Sequence, residues 1–238
     1  MPPRHPPRHP PRHPLSPRPV TGAALALAAC LAAPVAQAHP HEFVEARLTF
    51  RFDAAGVLER VGVEWRYDAF TSMLILSDLG LNPAAETLSP EEEAQLSGFD
   101  TNWQPGYDGD LWPYFDGRPV PLGPPEEARA RLEDGEIVSQ HWRAVEGVVD
   151  PAAGALVVRV YDPEFYVAYT IGHDSRVEGR VDCRLRFFAP DLGAAEERLQ
   201  AALDELMAGG VTDIEANFPA VGRDFAEELR FDCAPPDD

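Results

Sequence analysis

Three observations predict an α+β fold, mostly antiparallel sheet with one clear helix in the C-terminal half and a short acidic helical region. Val44, Ala46, Leu48, Phe50 and Phe52 alternate with Glu45, Arg47, Thr49 and Arg51, the period-two signature of a half-buried strand. The second half repeats short apolar runs between turn signals at Asp150-Pro151, Asp162-Pro163 and Gly172-His173-Asp174, a spacing that suits a meander. One stretch, Gly193 to Met207, places Leu199, Ala202, Leu203, Leu206 and Met207 at helical spacing, with Gly209-Gly210 as the stop.

The elements follow in order. Asp53-Ala54-Ala55-Gly56 supplies turn chemistry after the first strand, and Val61, Val63, Trp65 and Tyr67 alternate again, so residues 43–68 read as an antiparallel hairpin. The hairpin sets Asp68, at the end of its second strand, beside the beginning of its first. Residues 69–80 read as a short helix, and Ser89-Pro90-Glu91-Glu92 resembles a helix start within an acidic segment. Residues 98–125 are rich in Gly, Pro, Asp and Trp and read as a long ordered loop or a boundary between lobes. Asp108-Gly109-Asp110 and Asp116-Gly117 fit turns better than calcium loops, because the EF-hand spacing is absent. Strands are expected at 137–149, 155–161, 165–171, 176–188 and 225–233.

Residues 1–38 have the order of a secretory signal, here with a Pro/Arg/His-rich extension: arginines and no acids, then an apolar run, then Ala36-Gln37-Ala38. A cut after Ala38 makes His39 the new N-terminus; the alternative is lipidation at Cys30, after Leu27-Ala28-Ala29. Either route exports the remainder, 39–238, as one periplasmic α+β domain. No later stretch is long and apolar enough to span a bilayer. Either cut leaves two cysteines, Cys183 and Cys233, expected to pair in an oxidising compartment.

All 40 acidic residues lie beyond residue 38, against 16 arginines and no lysine, a charge of −24 for that part of the chain. Such a field repels nucleic acid and anionic membranes and attracts cations.

His39 and His41 are the leading metal candidates. A terminal histidine offers an α-amine and a ring nitrogen together, and His41 adds a second imidazole. Pro40 has no amide proton to lose, which blocks the square-planar chelate that deprotonated amides build for copper or nickel. The site must then be completed by distant ligands, with Asp68 preferred through the hairpin, His141 next and Glu42 or Glu45 as further options. Imidazole-rich, thiol-free coordination suits zinc, nickel, cobalt or copper(II). His173 sits in a turn and ranks lower.

Ala38-His39-Pro40-His41-Glu42-Phe43, Trp65-Arg66-Tyr67-Asp68, Asp116-Gly117-Arg118-Pro119-Val120 and Tyr161-Asp162-Pro163-Glu164-Phe165-Tyr166 together resemble the exported bacterial family known as domain of unknown function 1007. The resemblance implies a periplasmic, ABC-type-transport-component-like accessory to divalent-metal transport, with an inner-membrane nickel/cobalt-type permease as partner. Glu45 departs from the Asp common in that family, and the acidic and Gly-Pro-rich middle is longer here. The expected function is metal binding without catalysis: no G-x-S-x-G, H-E-x-x-H, P-loop or dinucleotide fingerprint occurs, and Ser139 with His141 lacks a third partner. The alternatives are a copper-dependent oxidoreductase built on the terminal histidine and an assembly module that uses no metal.

Overall fold

β1 (Glu42–Phe52) and β2 (Leu58–Tyr67) form the expected hairpin, registered from Val44 opposite Tyr67 to Phe52 opposite Leu58. The computed structural model describes residues 39–104 and 106–234. The expected leader with its Pro/Arg/His-rich extension, Cys30 and the expected cut after Ala38 lie outside the described residues.

After β2 come α1 (Ala69–Asp78), α2 (Pro90–Leu96), β3 (Leu111–Phe115), β4 (Arg118–Pro119), β5 (Leu122–Glu133) and β6 (Glu136–Val145). These are followed by β7 (Leu156–Val160), β8 (Val167–Ile171), β9 (Arg176–Glu178), β10 (Cys183–Phe188), α3 (Leu192–Ala208), a 3-10 turn (Glu215–Asn217), α4 (Gly222–Phe225) and β11 (Glu228–Cys233). One sheet runs β5-β6-β2-β1-β8, with β9 continuing beside β1; the other runs β10-β11-β7-β3-β4. The α+β class with mostly antiparallel pairing is therefore observed.

A single apolar core takes side chains from both sheets. Leu48, Phe50, Val61 and Trp65 come from the first, Leu111, Leu156, Val158 and Leu229 from the second. A second cluster seats α1 and α2 on β5 and β6 through Leu76, Leu96, Ala130, Leu132 and Ile137. Ser89 opens α2 with a capping box completed by Glu92, as the Ser-Pro-Glu-Glu pattern predicts.

Three expectations are corrected. Residues 98–125 are not all loop: β3, β4 and the beginning of β5 lie there. Proline density hides them, since Pro124 and Pro125 sit on an edge strand where the register with β6 shifts, a place that tolerates a missing N–H. The run 176–188 is two strands in different sheets, broken at Gly179. That residue has φ +86°, and a Cβ would lie 2.2 Å from the Phe52 carbonyl oxygen. The second half is no meander, because β8 and β9 pair parallel with β1 while β7 pairs with β3 and β11. Ser175 Oγ accepts the Leu48 N–H at 3.0 Å where β8 gives way to β9.

Cys183 and Cys233 form a disulfide across β10 and β11, facing residues of the antiparallel pair.

Candidate metal centre

The parallel pairing of β8 with β1 builds the site. His41 and Glu42 donate their backbone N–H groups to the Tyr166 carbonyl at 2.8 and 3.3 Å, which binds the start of β1 to the loop before β8. That loop is shaped by Asp162, whose carboxylate accepts from the Glu164, Tyr166 and Val167 N–H groups, an Asx turn of the kind Asp-Pro initiates. Phe165 takes φ 57° within it and stacks on Phe225 at 4.2 Å between centroids.

The loop also draws in the C-terminal segment. Gly222 donates to the Pro163 carbonyl at 3.0 Å, and a Cβ on Gly222 would meet the Asp162 carbonyl oxygen at 1.8 Å, so only glycine permits this approach. Just upstream, Asp213 fixes the 3-10 turn: its carboxylate accepts from Ala216 N–H, and its carbonyl from Asn217 Nδ2.

Glu215 is thereby brought to the two histidines. Its Oε2 lies 3.4 Å from His39 Nε2 and its Oε1 lies 3.3 Å from His41 Nε2, so one carboxylate oxygen faces each ring. Neither nitrogen of His39 has a hydrogen-bond partner among the described residues; Glu215 is within ion-pair distance but not aligned for a hydrogen bond. His39 is 7% exposed, whereas His41 and Glu215 open to solvent on the other side. Phe218 packs on the His39 ring at 3.8 Å, and Tyr166 stacks on His41 at 4.6 Å.

Ligand atoms of His39, His41 and Glu215 all lie within 4.8 Å of one another. Two donors held about 2.1 Å from a tetrahedral metal stand roughly 3.4 Å apart, the separation already found between Glu215 and each ring. The donor set of two imidazoles and a carboxylate with an open side suits a divalent transition metal.

Of the residues expected from sequence, His39 and His41 come together, and Asp68 and His141 are not in the cluster. The hairpin does put Asp68 near the start of β1, where it accepts the Phe43 N–H at 3.2 Å. Its carboxylate is nevertheless consumed as the N-cap of α1, taking Phe70 N–H, Thr71 N–H and Thr71 Oγ1 at 2.8 to 3.0 Å. Glu42 is half-buried, and burial followed by the neighbouring Asp68 charge raises its pKa.

His141 lies on β6 opposite Val63, 2% exposed, with Trp103 and Trp65 at 5.6 and 6.4 Å and both ring nitrogens unpaired among the described residues. Burial, then the Arg143 charge, lowers its pKa to about 4. Nearby polar groups belong to buried networks: Asp100 accepts from Tyr67 and Ser139, and Asp110 from Tyr107 and Tyr169.

Glu215 was not foreseen, and neither were the flanking rings of Tyr166 and Phe218. Among the many acids of the C-terminal third, only its tertiary approach distinguishes Glu215.

A family model described as "Protein of unknown function (DUF1007)" matches residues 24–233. No curated protein matches the chain. Among solved structures, AChBP from Bulinus truncatus aligns over 90% of this chain and 96% of its own at 11% identity, with a TM-score of 0.37.

Proposed function

The chain belongs to the DUF1007 family, and we propose that it is a periplasmic accessory protein that binds one divalent transition-metal ion through His39, His41 and Glu215. The observation that carries this reading is His39, a buried imidazole whose two nitrogens are unpaired among the described residues and one of which faces a carboxylate oxygen at 3.4 Å. A buried polar group without a partner costs about 1–3 kcal/mol, and a cation between the ring and Glu215 removes that cost. The open side formed by His41 and Glu215 allows a metal to enter and leave without unfolding the core.

The export-like order of residues 1–38 supports a periplasmic location, and the acidic surface supports cation capture. The role in transport, handing zinc, nickel, cobalt or copper to or from an inner-membrane permease, rests on the sequence resemblance. No helix among the described residues is long and apolar enough to cross a membrane.

The test is isothermal titration of residues 39–238 with nickel, zinc, cobalt and copper(II), comparing wild type with His39→Ala/His41→Ala. The expected result is saturable one-to-one binding that the double change abolishes. Binding indifferent to the double change, or none at all, refutes the assignment.

A further inference from the structure

We propose that the outward face of α1, together with Phe43, is a docking surface for a protein segment that is both apolar and positively charged.

α1 is apolar on its outer face as well as on its inner one, where Leu76 is buried. It turns Thr71 and Ser72 inward, and Ser72 Oγ accepts the Ile137 N–H at 2.8 Å while donating to the Tyr67 carbonyl at 3.2 Å. Phe70, Met73 and Leu74, at i, i+3 and i+4 on one face, are 63, 38 and 46% exposed. A surface helix ordinarily presents a polar outer face. Phe43 joins them at 57% exposure. Phe43 is tied to the start of the helix by one carboxylate: Asp68 Oδ2 accepts the Phe43 N–H and Oδ1 the Phe70 N–H. Grouped exposed apolar residues rimmed by polar ones mark interaction sites.

The rim identifies the occupant. Beside Phe43 lies a shallow hollow of about 310 Å³ whose lining includes Glu45, Asp68 and Glu136. Glu136 pairs with the one arginine of the lining, Arg66, Glu45 pairs with Arg47, and Asp68 caps α1, so the lining itself carries three carboxylates against one guanidinium. A lysine or arginine in this hollow meets carboxylates while neighbouring apolar side chains cover Phe43 and Phe70. The chain's formal charge of −20 disfavours both an anionic lipid surface and a second equally acidic copy, which leaves a basic, amphipathic protein segment. Phe43 follows His41 by two residues, so a docked partner stands next to the metal centre. The surface stands on its own geometry; only its purpose in metal transfer rests on the function proposed above.

The experiment is an anisotropy titration of the metal-free protein at physiological salt with a fluorescent Leu/Lys amphipathic helical peptide. A peptide of the same composition in scrambled order is the comparator. Wild type is expected to prefer the amphipathic peptide by at least about tenfold. Phe70→Ser/Leu74→Ser loses that preference but keeps wild-type nickel affinity, and Val148→Ser/Val181→Ser, at exposed residues elsewhere, keeps both. The proposal is overturned by equal binding of the two peptides or by a preference that survives Phe70→Ser/Leu74→Ser. It is also overturned if those two substitutions abolish vesicle binding or a sedimenting dimer instead. If the peptide preference holds while nickel fails to bind, the docking surface stands and the metal reading falls.

Discussion

His39 and Glu215 meet through Nε2 and Oε2 at 3.4 Å, one at the beginning of the described chain and the other on a short turn near its end. The pair ties the start of β1 to the segment between α3 and β11. Glu215→Gln preserves volume and one oxygen but removes the charge. Nickel affinity is expected to fall at least about tenfold, or 1.4 kcal/mol, with little change in Tm because the Glu215 side chain is half-exposed. Calorimetry that gives the Glu215→Gln variant the wild-type Kd removes Glu215 from the ligand set.

Asp68 is a structural residue by its bonding. Asp68→Ala is expected to cost about 1–2 kcal/mol through loss of the α1 cap while nickel affinity stays unchanged. Burial alone would raise the Asp68 pKa, but the hydrogen bonds from Thr71, Phe43 and Phe70 outweigh it and hold the carboxyl below its ordinary 3.8. The folded pKa is depressed, so this stability is present above pH 4 and is lost as the pH falls through the folded value. Urea unfolding of both proteins between pH 2 and 5 checks this, since the alanine variant loses that part of the acid sensitivity.

Local pattern and tertiary approach differ in what a sequence reveals. The β1–β2 hairpin, α1, the Ser89 cap and α3 were all legible because period, cap chemistry and turn residues are local signals, and the cysteine pair was legible from the count of cysteines alone. The parallel pairing of β8 with β1 has no local signal, and it is this pairing that delivers Tyr166 to His41. Asp68 shows the opposite failure. Its proximity was legible from the hairpin, but sequence does not reveal that its oxygens are already engaged by the helix that follows.

Gly222 supports the site from a distance. Gly222→Ala places a Cβ within 1.8 Å of the Asp162 carbonyl oxygen, and backbone must move to relieve it. A loss of about 1–3 kcal/mol is expected, accompanied by weaker nickel binding because the Glu215 segment is displaced. Unchanged affinity in a folded Gly222→Ala variant would falsify the idea that this contact positions Glu215.

The disulfide closes a sequence separation of 50 residues. In the chain-entropy model a loop of this size contributes roughly 4 kcal/mol, and Cys183→Ser/Cys233→Ser is expected to lower the unfolding free energy by about that much. The bond joins strands at the edge of the second sheet, so nickel affinity of the folded variant is expected to persist. Urea titration with and without reductant measures the first effect and calorimetry the second.

His141 and Asp110 give opposite pH dependences. Burial and Arg143 lower the His141 pKa from 6.5 to about 4, so the unfolded state binds more protons in that interval and stability rises with pH. Burial raises the Asp110 pKa from 3.8 to about 6, against hydrogen bonds from Tyr107 and Tyr169 that lower it, so here the native state binds more protons and stability falls as pH rises. Each effect is on the order of 3 kcal/mol, and the two largely offset one another between pH 4 and 6; Asp100, raised by burial, acts in the same sense as Asp110. His141→Leu is therefore expected to lose stability progressively from pH 4 to 6, and Asp110→Asn to gain it over the same range. Urea unfolding at pH 4, 5, 6 and 7 separates them, and two variants that both follow the wild-type profile would show that neither group titrates as its burial requires.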